Sequence, residues 1–398
     1  MNSAAQMRAW KGPAVLTFGF RPFFLGASVW ALSAMLLWIF QLSGMPDLPT
    51  NFDPVTWHAH EFLFGYLGAV VAGFLLTAVP NWTGRLPVVG WSLGVLFGLW
   101  VMGRTAILLG MYLPSWLVAL ADLSMPLALV GFLAREILAG KNWRNLIVLA
   151  LLVAFTLANA RFHWEAYDDD MAGRQMGLRA GLGTGIMMIA LIGGRIVPSF
   201  TRNWLVKQGE TRLPAPPMQR YDVVALLILF VAIVFWILWP ESVGSGGALV
   251  LAAGLHALRL GRWAGWYSIS EPLVWILHVA YAFLPLGAFA LGFSILWPAL
   301  LTQTAAQHVW MAGAIGVMTV AVMTRATLGH TGQKLTAGIG TFAIYLALIS
   351  AVVVRLVAGF VPSMAGLLFT FSGLFWILAF GGFVVVYGPL LLRVRKAV

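Results

Sequence analysis

The stretch WHAHEFLFGYLGAVVAGFLLTAVPNWTGR, Trp57 to Arg85, decides how this chain folds. It opens on two histidines and a glutamate, continues almost wholly apolar, and closes on Thr-Gly-Arg. About 20 apolar residues suffice for a helix to cross the hydrocarbon of a bilayer, so a polar start followed by such a run reads as a membrane span. The rest of the sequence repeats the pattern. Of 398 residues, 61% are hydrophobic and only 9% charged, and the mean hydropathy is +0.90. Soluble domains carry about 25% charged residues, so this chain has too few to solvate a globule of its size. Apolar runs fall near 22–43, 60–80, 88–111, 114–135, 145–163, 177–199, 221–239, 245–260, 271–292, 302–325, 338–358 and 364–390. The expected fold is all-α: a polytopic bundle of about twelve transmembrane helices forming a single integral membrane domain over 1–398, embedded in lipid.

The N-terminus MNSAAQMRAWKG is polar and basic and leads straight into the first span, which is not the layout of a cleavable signal peptide. Twelve spans put both termini on one side, and basic residues decide which. Arg8, Lys11, Arg21, Arg85, Arg135, Lys141, Arg144, Arg202, Lys207, Arg212, Arg220, Arg259, Arg262, Arg325, Lys334, Arg393, Arg395 and Lys396 share the side of the termini. The other side carries Asp47, Asp53, Asp168–Asp170 and Glu241, with only Arg174 and Arg179 nearby. Both termini are therefore expected in the cytoplasm. The net charge of +11 is then a topology signal and argues against nucleic acid as a partner. A Pro-rich cytoplasmic linker, about 201–220 and containing RLPAPPMQR, separates spans six and seven. Tryptophans near span ends, among them Trp57, Trp82, Trp116 and Trp143, suit an interfacial belt.

Placing His60 over His308 brings Gly65 onto Gly313, Gly68 onto Gly316 and Thr83-Gly84 onto Thr331-Gly332. Span six joins more weakly, with Gly183 on Gly313 and Arg195 on Arg325. Spans two, six and ten would then head three four-helix pseudo-repeats, a common device in membrane folds.

With no cysteine, any metal must be held by His, Met, carboxylate or backbone oxygen, and covalent c-type haem is excluded. The histidines sort by depth into an outer group, His58, His60, His163 and His308, and an inner group, His256, His278 and His330, the last in the loop after span ten. Intramembrane ionisable groups are costly, and imidazole suits haem iron, copper and zinc. Two depth-matched groups point to two metal centres near opposite faces, whereas each histidine taken singly is also a simple helix–helix hydrogen bond. Residues two apart on a helix point in nearly opposite directions, so His58 and His60 should serve different partners if that turn is helical. Glu61 then reads as an acceptor for an imidazole N–H or as a residue favoured by the helix dipole. Arg104 and Asp122 lie at similar distances from the turn around Pro114 and can pair across a helical hairpin. Glu271 opens span nine below His278, as a proton-relay group or a dipole-favoured residue.

RPFF (21–24), the opening block (57–85), GGRIVPSFTRNW (193–204), EPLVWILHVAYAFLPLG (271–287) and HVWMAGAIGVMTVAVMTRATLGHTG (308–332) together resemble the NnrS family across essentially the whole chain. The resemblance implies a bacterial inner-membrane protein that contains haem and copper and handles nitric oxide, by redox conversion or by protective binding under nitrosative stress and in denitrification. His58, His60, His256, His278, His308 and His330 fall in matching blocks, and His163 does not. With that cofactor list, b-type haem is expected between His60 and His308, with His58 as the alternative ligand and Arg104, Arg161 and Arg355 as cationic partners for its propionates. Copper is expected among His256, His278 and His330; Glu61, beside His58 and His60, and Glu271, below His278, are expected as supporting residues. Twelve spans with outer histidines on spans two and ten are also similar to haem–copper oxidase subunits, although span seven lacks the adjacent His pair of that pattern. A transporter of metal, haem or a small solute, or a metal-handling maturation factor, is the competing class.

Overall fold

The computed structural model describes residues 10–44, 47–168 and 171–393. The basic residues Arg8, Arg395 and Lys396 and the acidic Asp169 and Asp170, all used above to orient the chain, lie outside them. Twelve helices are long and apolar enough to cross a membrane, and the described residues contain no strand. They are α1 Phe20–Leu42, α2 Pro54–Thr83, α3 Trp91–Leu108, α4 Ser115–Ala139, α5 Trp143–Tyr167, α6 Met176–Lys207, α7 Arg220–Leu238, α8 Val243–Gly261, α9 Pro272–Leu296, α10 Gln303–Thr331, α11 Ile339–Phe360 and α12 Pro362–Leu392.

Local chemistry sets the helix ends. Asp53 caps α2, its carboxylate accepting from the backbone N–H groups of Val55 and Thr56 at 2.9 and 3.0 Å, with Pro54 in the first turn. Gly84 ends the same helix at φ +70°, a left-handed conformation open to a residue without Cβ. Gly332 at φ +76° does the same after α10. RATLGHT before it holds no proline, and the isolated Gly329 does not stop the helix, so His330 belongs to the last turn of α10 rather than to a loop. For the same reason α6 continues through RNWLVK to Lys207, and only residues 208–219 of the expected linker are irregular. Gln219 and Asp222 form a reciprocal cap at the start of α7.

Three helices carry π-helical segments: Glu61–Leu67 in α2, Ile189–Gly193 in α6 and Val309–Val317 in α10. Those of α2 and α10 begin immediately after His60 and His308. The helices that follow start at Trp91 and Ser115 in one case and at Ile339 and Pro362 in the other, with nearly the same spacing. Local structure thus repeats between the first and last thirds of the chain in the register that the glycines suggest.

The chain divides into two compact units, one of Met1–Gly181, Ala326–Gln333 and Phe383–Val398 and the other of Leu182–Arg325 and Lys334–Gly382. In the first, α1 packs on α2, α3 along α4, and α4 along α5. Arg21 is buried and donates to the carbonyls of Leu391 and Arg393, closing the C-terminal end of α12. In the second, α8 lies along α9, α7 along α8, and α9 against the π segment of α10.

Candidate metal centre

The first unit buries an ionic cluster drawn from α1 to α5. His60 and Glu61 sit at the junction of the α and π segments of α2 and are fully buried, and Arg104, Asp122, Asn159 and His163 are each less than a tenth exposed. His60 and His58 lie two apart on true helix, and they diverge. His58 stacks on Trp38, with ring centroids 4.3 Å apart, and tilts against Phe62. His60 points into the cluster.

Its hydrogen bonds define what it can hold. The Nδ1 of His60 lies 3.2 Å from the Oε1 of Glu61. Its Nε2 lies 3.0 Å from the Oδ1 of Asn159 and 3.2 Å from the Oδ2 of Asp122. The orientation of Asn159 is set by its amide, which donates to the Oδ2 of Asp122 at 2.7 Å. Both ring nitrogens of His60 therefore face acceptors, while a neutral imidazole has only one N–H to give. A neutral His60 therefore leaves one ring nitrogen facing acceptors alone, which a second proton on the ring, a proton on Asp122 or a bound cation would each satisfy. The Nε2 of His163 approaches the same oxygen of Asp122 at 3.0 Å. Arg104 bridges the two carboxylates, donating to Glu61 at 2.5 Å and to Asp122. Trp30 donates to the second oxygen of Glu61 at 2.6 Å.

Two carboxylates against one guanidinium leave a single negative charge in an apolar interior, where uncompensated charge is expensive. One proton or one cation neutralises it. Donor atoms of His60, Asp122 and His163 all lie within 4.8 Å of one another, the one such group among the described residues. The 3.0 and 3.2 Å separations from Asp122 are close to what two donors keep when each lies about 2 Å from a shared ion. The residues therefore fit a transition-metal ion. A cavity of about 20 Å³ borders Arg104, Asp122 and Asn159 between Phe64, Trp100 and Phe155. It has room for a water or a diatomic molecule and none for a porphyrin.

The other expected site residues have separate partners. Arg161, half-exposed, pairs instead with the buried Glu165 one turn along α5. In the second unit the Nε2–H of His256 donates to the carbonyl of Ala225 at 3.1 Å, which leaves Nδ1 to accept the hydroxyl of Tyr281 at 2.9 Å. Its one lone pair is thereby engaged. Arg259 donates to Tyr281 and to Asp222, each at 2.8 Å, so this buried network is already neutral. His278 donates through Nε2 to Thr201 at 2.8 Å, since the hydroxyl of Thr201 is itself given to the carbonyl of Val197. Glu271 caps α9 and also accepts from the N–H of Ala337. The Nδ1 of His308 lies 2.7 Å from the carbonyl of Thr304 and 3.3 Å from Arg355. His330, in the first unit, packs on Phe18 and Phe20. Within each unit the structure thus joins His60 to His163, and does not join His256 to His278.

Sequence reasoning ranked His163 low and did not weigh Asn159. A signal was present: they are four residues apart, hence on one face of α5.

A family model described as NnrS protein matches residues 14–395. No curated protein matches the chain.

Proposed function

The chain belongs to the NnrS family, and on that premise we propose that it is a haem- and copper-containing inner-membrane protein of the nitric oxide response, with His60, Asp122 and His163 holding the copper. The observation that carries the reading is the acceptor-only surroundings of His60 in a buried cluster one positive charge short of neutrality. Imidazole suits copper along with other first-row metals, and a singly charged cuprous ion would balance the cluster. Bound there, copper supplies a centre at which nitric oxide is held or exchanges an electron.

The chain's own residues do the rest. Glu61 accepts from Nδ1 of His60 and so turns Nε2 toward the ion. The amide of Asn159 and the guanidinium of Arg104 fix Asp122, and Trp30 holds Glu61. A small cavity of about 20 Å³ beside Asp122 gives room for a molecule of water size next to the cluster. The basic distribution supports an outer-face position for this end of the unit, with both termini cytoplasmic. The inner histidines are the poorer copper ligands because His256 has spent its lone pair on Tyr281. Haem, the second group, would be held by His308, with Arg355, 3.3 Å from its Nδ1, placed to meet a propionate.

Metal analysis and an optical spectrum of the purified chain test this. The native protein is expected to hold stoichiometric copper and a Soret band. Asp122→Ala and His163→Ala should lose most of the copper, and His256→Phe should keep it. Copper retained in both of the first two variants would overturn the site. A native protein with neither copper nor a Soret band would overturn the metalloprotein reading in favour of a transporter.

A further inference from the structure

The opposite end of the first unit carries a feature unrelated to the metal centre. The loop from Gly84 to Gly90 and helices α3 and α4 border a groove of about 930 Å³. That size is in the range of sites that enclose a whole small molecule. Its wall is apolar, with Val95, Leu99 and Phe132 along it, and its polar end is formed by Arg85, Arg135 and Glu136. Glu136 is buried and accepts from both arginines, from Nε of Arg85 and from Arg135 at 2.8 Å. Arg135 also lies over the ring of Phe132, 5.4 Å from its centroid. One carboxylate thus orients two half-exposed to exposed guanidiniums and leaves a positive charge unbalanced. Each guanidinium has five N–H groups and gives only one or two of them to Glu136, so several remain for a further acceptor. The next basic residues are Lys141, in the adjoining loop, and Arg144, in the first turn of α5; Asn142 ties that loop to α2 by donating to the carbonyl of Trp82.

We propose that this groove binds an anionic phospholipid, with its phosphate between Arg85 and Arg135 and an acyl chain along Val95, Leu99 and Phe132. An apolar wall ending in excess positive charge, at the terminus of membrane-spanning helices, complements that molecule along its length. A zwitterionic headgroup brings its own cation and gains less from the same two arginines. Basic side chains near an anionic leaflet contribute about 1 kcal/mol each.

The test is binding of phosphatidylglycerol and phosphatidylcholine to the full-length purified protein, by native mass spectrometry and by the shift in unfolding temperature in neutral detergent, with glycerol phosphate as the headgroup alone. Phosphatidylglycerol is expected to be retained and to raise the unfolding temperature more than phosphatidylcholine. The preference should fall roughly fivefold for each of Arg85→Ala and Arg135→Ala, and glycerol phosphate should not compete. Arg212→Ala, which removes an exposed cation bonded to Tyr267 in the second unit, should leave the preference unchanged. Equal binding of the two lipids by the native protein overturns the proposal without recourse to any variant. So does full competition by glycerol phosphate, which would mark a site for a small phosphate instead.

Discussion

At the scale of single residues, charge balance separates one histidine cluster from the others. His60 meets only acceptors, whereas His256 meets one acceptor and one donor and is satisfied as a neutral ring. Counting histidines along the sequence does not reveal that difference, because it depends on Asn159 and Asp122, which come from other helices. The pairing of Arg104 with Asp122 was legible, since both flank one short turn. The cluster also explains a glycine. A Cβ added at Gly65 would lie 2.5 Å from a terminal nitrogen of Arg104 and 2.8 Å from Glu61, whereas one at Gly98 would meet nothing within 4 Å. Gly65→Ala is therefore expected to lower stability by about 1–3 kcal/mol, as overpacking does, and Gly98→Ala to raise it by about 0.5–1 kcal/mol, the preference of a helix interior for alanine over glycine. Thermal unfolding of the two variants in one detergent checks the contrast; equal effects would mean that Arg104 does not occupy that space.

Among the elements, the twelve spans were readable because twenty apolar residues have few other uses in a chain this poor in charge. Their ends were less so. The expectation that His330 lies in a loop missed that the stop signal is Gly332 and that everything before it continues the helix. The π segments were not legible at all, since a widened turn has the composition of the helix around it. Their position directly after His60 and His308 matters, because π turns inside helices gather at functional sites. At Glu61 the wide turn places a carboxylate beside the preceding imidazole. Alignment of that turn begins at Asp53, whose carboxylate holds two free backbone N–H groups of α2. Asp53→Ala should cost about 1 kcal/mol of stability and, by loosening the turn that carries His60, should lower copper occupancy. Asp53→Asn, which keeps the acceptor, should restore both. A loss of copper that Asn fails to rescue would place the role of Asp53 elsewhere than in the cap.

For the whole molecule, membership of the NnrS family and twelve apolar helices agree with the sequence reading. Each of the two units buries an ionic network between helices, and the two networks differ in kind. In the second, Asp222 and Arg259 balance each other and Tyr281 and His256 complete the hydrogen bonds, which is the signature of a structural tie. In the first, Glu61 and Asp122 outweigh Arg104 and leave two imidazole nitrogens on one carboxylate oxygen, an arrangement of His60, Asp122 and His163 that could hold a metal ion. On the proposed function that ion is copper. X-ray absorption at the copper edge tests it most directly, in either oxidation state. The native protein is expected to show two imidazoles and a carboxylate oxygen around copper, and His163→Ala to lose one imidazole from that shell. A copper shell identical in the native protein and in His163→Ala would contradict the assignment.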